Sequence, residues 1–409
     1  MKRVFTLLFA LTLLLLCACS APPPETEGGS PLPAETAAPT SAPAPTPAPT
    51  PEPTPEPTPE PTPEPTPEPT PTPVPVRYVH VIPEGATEGP EPDPACYGSI
   101  SLDEPEQALA VLDRARELGL LREDETVIFD PTVNFYRGVE SRDITYYLDE
   151  TILVICWKEV VEGCTCSYAE IKIADASQFR RKLAYDSFDP AQRLFLTDMH
   201  AQTHAVLSLN ADFYQNRDVG LMVYDRTLYR YPEYAYGSSY TFSNCLETCL
   251  VDSRGDFHYT ELGQAFTREE FEQYLQENDI LFSMAFGPVL IRDGVVQDCS
   301  WYPVGEVLQV YSRAGIGIVD DLHYLYMSLN HAPEKSGSWT VNQFARHFGE
   351  KAVRTAYCLD GGQTGEMVIL GEPYAHIDFS QERHVSDCIY FATGIGAPVI
   401  EEPIPDPVP

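Results

Sequence analysis

Apolar residues at Ala108, Val111, Leu112, Ala115 and Leu118 recur three or four apart and predict one helix over residues 103–119. Asp103, with Glu106 three places on, supplies the expected cap. A second stripe of this period, Val341, Phe344, Ala345 and Phe348, follows Thr340-x-x-Gln343 and predicts a capped helix over 340–350. A third helix is expected over 267–277. Elsewhere the pattern shortens to brief apolar runs that read as strands. They fall at 125–129, 144–147, 151–157 and 169–173, the last two paired across a hairpin loop at 160–167. Further runs follow at 205–209, 220–224, 280–285, 289–291, 314–319, 324–328, 355–359 and 389–392. Many short strands with a few inserted helices predict an α+β domain on a mixed or antiparallel sheet.

The first 76 residues follow neither period. Lys2 and Arg3 precede an apolar run from Val4 to Leu16, too short for a comfortable membrane span and right for a secretory segment. It ends in Leu16-Cys17-Ala18-Cys19, which resembles a bacterial lipobox. That resemblance implies cleavage before Cys19 and diacylglycerol on its sulfur; the other reading is a plain signal peptide cut at Ala18 or Ala21. Two or more acyl chains anchor a protein stably to a membrane. A Pro-Thr-Pro-Glu repeat then holds 23 of the 40 prolines between Pro22 and Pro75, which closes off helix and sheet alike. As polyproline II these roughly 55 residues would reach about 170 Å, the length of a stalk through a cell wall. The expected organisation is a lipoprotein signal peptide at 1–18, a disordered Pro/Thr/Glu-rich linker at 19–94 and a small helical lead-in at 95–142. The main domain takes 143–396 and a disordered tail 397–409. This places the domain outside a bacterial membrane, lipid-anchored.

Charge narrows the partners. The chain carries 26 Lys and Arg against 61 Asp and Glu, and only eight of the acids lie in the stalk. Such a field repels phosphate backbones, so nucleic acid is excluded as a partner.

Polar groups sit where apolar strands end. Residues 207–209 run into Asn210 and Asp212; residues 355–359 run into Asp360 and the Gly361-Gly362 turn, with Gln363 and Thr364 following. Glycines there let backbone amides approach an anion closely. An Asp beside such amides, with an Arg from elsewhere, fits hydrolysis of an anionic ester.

In their order and spacing these segments resemble the phosphodiester glycosidase family over residues 143–396. Asn210-Ala211-Asp212-Phe213-Tyr214 matches its strand-end motif; Gly287, Pro288, Asp293 and Gly294 match a Gly-Pro and following Asp-Gly. Arg313 to Gly317 matches an Arg before a small-Ile-Gly strand, Leu359 to Thr364 matches Leu-Asp-Gly-Gly-(Gly/Gln)-(Ser/Thr), and 385–393 resembles the closing strand. Ala211 stands where the family has Gly, and Gly365-Glu366 puts a charge near the site. The resemblance implies a glycosidase that cleaves a sugar-1-phosphodiester of the N-acetylglucosamine type in envelope or exopolysaccharide glycans. Within it Asp360 is expected as the leading catalytic carboxylate and Asp212 as its partner acid or base. Arg313 would take the phosphodiester, since a guanidinium matches phosphate oxygens in bidentate fashion. Asn210, Gly361, Gly362, Gln363 and Thr364 would orient sugar or phosphate. The competing reading is a catalytically silent carbohydrate-binding or wall-interaction module on the same scaffold; a third is a protein-interaction lipoprotein whose domain is only a spacer tip.

Other constellations point to structure. His200-x3-His204 has zinc spacing but lacks the Glu of a metalloprotease, and Ser386, Asp387 and His384 lack a nucleophile elbow. No cofactor and no metal are expected at the site, although clustered carboxylates could hold Ca²⁺. Nine cysteines remain after Cys17 and Cys19; Cys164 with Cys166 and Cys245 with Cys249 are the closest pairs, and an odd count leaves one thiol over. Cys358 reads as core packing.

Overall fold

A computed structural model describes residues 76–80, 90–139, 141–189, 191–212, 220–231, 246–260, 267–302, 305–330, 339–375, 382–394 and 399–403. The signal segment, Cys19, the stalk up to Pro75, and the motif residues Phe213 and Tyr214 lie outside them, as does Cys245.

Nine antiparallel strands make the central sheet, in the order Val295–Val296, Val289–Arg292, Thr355–Leu359, Arg313–Asp320, His323–Asn330, Cys164–Ile173, Ile152–Val161, Ile144–Leu148 and Tyr97–Ile100. The last strand shows that the lead-in feeds this sheet. The sheet is covered on both faces, which explains an unbroken apolar run such as Ile152 to Trp157 in place of alternation. Leu153, Ile155 and Trp157 point to a core shared with Ala108, Leu112 and Ala115 of the helix Gln107–Glu117 and with Phe344 and Phe348 of the helix Val341–Glu350. Ile152, Val154 and Cys156 point to the opposite core. A second sheet closes that side, in the order Glu372–Pro373, Met367–Ile369, Ala205–Asn210, Asp387–Ala392 and Phe179–Leu183. Phe179, Leu207, Leu209, Ile389 and Phe391 face Ile171, Ile316, Tyr324 and Tyr357 between the two sheets. Thr248–Asp252, Phe257–Tyr259 and Ile280–Ala285 form a smaller sheet beside them. This is the α+β, antiparallel fold the pattern predicts.

Several elements differ from expectation for local reasons. The first helix begins at Gln107, because Pro105 disfavours helical backbone at Glu104, and Asp103 binds Arg137 at 2.7 Å in place of capping. The helices at 268–277 and 341–350 do carry capping boxes, from Thr267 with Glu270 and Thr340 with Gln343. Residues 125–129 form no strand: the Ile128 and Phe129 amides donate to the Glu170 carboxylate at 2.7 and 2.9 Å, so a side chain replaces a neighbouring strand. The 160–167 loop shrinks to Glu162-Gly163, whose φ of 48° and 79° give the tight hairpin turn. Val76–His80 pairs with Val399–Pro403, so these stretches of the expected linker and tail are strands.

Candidate active site

Three strand ends and the middle of a fourth strand meet where the second sheet faces the central one. Asn210 ends Ala205–Asn210, with Asp212 two residues beyond it; Asp387 opens Asp387–Ala392; Arg181 sits inside Phe179–Leu183; Asp360 follows Thr355–Leu359. All five are almost fully buried.

Arg181 is the hub. Its Nε donates to Asp387 Oδ2 at 2.8 Å and its Nη2 to Asp212 Oδ2, while Nη1 reaches the Ser283 carbonyl. Burial opposes charge on this guanidinium, but the two carboxylates keep it firmly charged. Asp212 also accepts the Ala285 amide. Burial pushes its carboxyl up to about 6, against the pull of Arg181 and with Asp387 adding repulsion. Asp360 is pushed further. Burial carries it to about 8, although the Thr364 hydroxyl at 2.8 Å and the Gly361 amide favour its ionised form, and Asp212 and Asp387 add to the rise. One buried carboxyl thus holds its proton at neutral pH beside another that has lost it, the arrangement acid–base chemistry uses.

The motif glycines have steric reasons. A Cβ at Gly361 would strike the Ser312 carbonyl and lie 3.2 Å from Arg313 Cα, and Gly362 has a φ of 65°. Their amides are used inside the protein: Gly361 on the Asp360 carboxylate and Gly362 on the Ser312 carbonyl at 3.1 Å. Asn210 is likewise engaged, its amide nitrogen on the Asp360 carbonyl and its oxygen accepting from Tyr326 at 2.9 Å. It holds two strand ends together. Gln363 is half-buried.

The expected cation, Arg313, is not part of this ion-pair cluster. The backbone of Arg313 runs beside Gly361, but its Nε donates to the Trp339 carbonyl at 3.2 Å and its Nη2 to the Gln309 carbonyl. Burial lowers its pKa, and no carboxylate of the cluster touches it. Arg181 and Asp387, which sequence reasoning missed, complete the buried cluster with Asp212. Their signal was a basic residue between apolar Phe179 and Leu183, and an acid opening an apolar strand.

Glu366, flagged as a charge near the site, is buried; its pKa rises to about 8 through burial, offset in part by the Arg383 amide and increased by Glu382. It sits there as a neutral acid. His200 is buried between Ser208 at 2.9 Å and the Gly371 amide at 3.3 Å, and burial lowers it to about 4. It packs the helix Leu196–Thr203, while His204 is the left-handed cap beyond it. Cys156, Cys166, Cys249, Cys299, Cys358 and Cys388 are buried thiols. Among the described residues no helix is long and apolar enough to cross a membrane.

No curated protein matches the sequence. Among solved structures, a hypothetical protein from Synechocystis matches at 12% identity and a TM-score of 0.42, over 59% of this chain and 62% of that one. This chain therefore spans under two thirds of that relative. The catalytic domain of zebrafish N-acetylglucosamine-1-phosphodiester alpha-N-acetylglucosaminidase, auto-inhibited by its pro-peptide, matches at 12% identity and a TM-score of 0.46, over 59% and 83%. The family model described as phosphodiester glycosidase matches residues 204–392, a narrower stretch than the motifs outlined and one that leaves Arg181 outside. Over residues 204–392 this chain is similar to the phosphodiester glycosidase family.

Proposed function

We propose that the protein hydrolyses a sugar-1-phosphodiester, of the N-acetylglucosamine-1-phosphodiester kind, in an envelope or exopolysaccharide glycan. The observation that carries this reading is the pair of buried carboxyls, Asp360 raised to about 8 and Asp212 to about 6, inside the family segment. In this reading water adds to the anomeric carbon, the bond from that carbon to the phosphate oxygen breaks, and a phosphomonoester leaves. Asp212, ionised above about pH 6, takes the proton of the attacking water. Asp360, protonated at neutral pH, hands its proton to the leaving oxygen and presents no negative charge to an anionic substrate. Arg181 is a positioning residue that fixes Asp212 and Asp387.

The test incubates the purified protein with UDP-N-acetylglucosamine and with a simple N-acetylglucosamine-1-phosphodiester, and separates free sugar from sugar-1-phosphate. Free N-acetylglucosamine supports the proposal. Sugar-1-phosphate without free sugar, or no turnover of either compound, refutes it.

The same proposal holds the domain outside the membrane through lipid on Cys19 and the proline stalk. Cys19→Ala should then move the protein from the membrane fraction to the soluble one.

A further inference from the structure

Three aromatic rings gather at the surface beside the strand that carries Arg181. Phe188 and Tyr229 stack with centroids 3.9 Å apart and planes 28° apart, and Tyr224 meets Phe188 edge-on at 5.9 Å. Phe188 is 37% and Tyr229 48% exposed, so the stack is not core packing: much of both rings faces outward. Tyr224 ties the group to the acid cluster, since its hydroxyl donates to the Arg181 carbonyl at 3.4 Å. It also belongs to the strand Met222–Tyr224, whose Val223 amide donates at 2.9 Å to the hydroxyl of Ser283, the residue whose carbonyl receives Arg181.

The surroundings are polar. Asp186 and Asp225 both act on the Tyr224 hydroxyl, and Lys182 pairs with Asp186 at 2.6 Å. Flat apolar rings edged by charged acceptors and donors match a pyranose, which has one face of C–H bonds and a girdle of hydroxyls. Three rings cover far less than the roughly 800 Å² per partner of a stable protein interface. The acidic surplus of the chain disfavours nucleic-acid bases, which arrive with phosphates.

We propose that Phe188, Tyr224 and Tyr229 form a platform on which a pyranose ring of the substrate glycan stacks, beside the Arg181, Asp212, Asp387 and Asp360 cluster. The occupant's identity as substrate rests on the hydrolase reading; its binding does not.

The test is isothermal titration of the full protein with linear tetrasaccharides of N-acetylglucosamine, glucose and mannose. At least one should bind with a dissociation constant below a millimolar. Tyr229→Ala and Phe188→Ala should each weaken it tenfold or more, and Tyr229→Trp should retain it. Both positions are exposed, and a melting curve for each variant confirms folding. If no tetrasaccharide binds, or the alanine variants bind like the wild type, the platform is refuted. Turnover of UDP-N-acetylglucosamine by the wild type is scored separately. Sugar binding without turnover sinks the hydrolase and keeps the platform; turnover without tetrasaccharide binding does the reverse.

Discussion

The Thr364 hydroxyl lies 2.8 Å from Asp360 Oδ2, where it favours the ionised form of a carboxyl that burial otherwise keeps protonated. Removing it should raise the Asp360 pKa beyond about 8. For Thr364→Val we expect the alkaline limb of the pH–rate profile to move upward by up to about one unit, with the acid limb unmoved. A profile that keeps both limbs excludes Asp360 as the acid.

The wild-type profile should itself be a bell. Activity rises as Asp212 loses its proton near pH 6 and falls as Asp360 loses its own near pH 8. Asp360→Asn should reduce kcat by about 10²–10⁴ and remove the alkaline limb, as expected for a lost general acid. Turnover within a few-fold of wild type would exclude the assignment.

Arg181 neutralises two buried carboxylates. Arg181→Met leaves both without their partner, and breaking such a buried pair costs about 3–5 kcal/mol. Because Arg181 lowers the Asp212 pKa, the acid limb should also shift to higher pH. Denaturant melts and the pH–rate profile read the two effects separately.

Glu366 has a folded pKa near 8 against the ordinary glutamate value of 4.5, so the folded state binds the extra proton between those values. Its contribution to stability is full below pH 4.5 and is lost as pH rises towards 8. Each pH unit in that window corresponds to about 1.4 kcal/mol for a full proton. Glu366→Gln mimics the neutral acid and should flatten the decline in stability between pH 5 and 8 without loss at pH 5. An unchanged slope would show that Glu366 is ionised in the fold.

Much of the fold was legible because its strands are framed by strong local signals. Residues 280–285 and 355–359 coincide with their strands, bounded by Asp279 and Phe286-Gly287, and by Arg354 and Asp360. Phe179–Leu183 escaped because Arg180, Arg181 and Lys182 make it read as surface. The same concealment hid the cation of the buried cluster. Arg181 is buried only because Asp212 and Asp387 meet it from 31 and 206 residues away, and no local pattern carries that pairing. Arg313 has the right residue type and a motif position, yet the carbonyls of Trp339 and Gln309 claim its guanidinium. Asp212 and Asp360 were legible as acids at the ends of apolar strands, a position that depends on sequence alone.

The twice-covered central sheet has a consequence during synthesis. Ile152 to Trp157 is six residues without charge, proline or glycine, the composition that favours intermolecular β-pairing when exposed. Its natural partner, Cys164–Ile173, follows across a two-residue turn, so the hairpin can close as soon as both strands are available. Lys158 and Glu159 directly after the run act as gatekeepers in the unfolded chain, although both become buried in the finished domain. Neutralising the pair with Lys158→Met and Glu159→Gln would leave the run unguarded until the hairpin forms, and the chain's solubility during synthesis then depends on how fast it does.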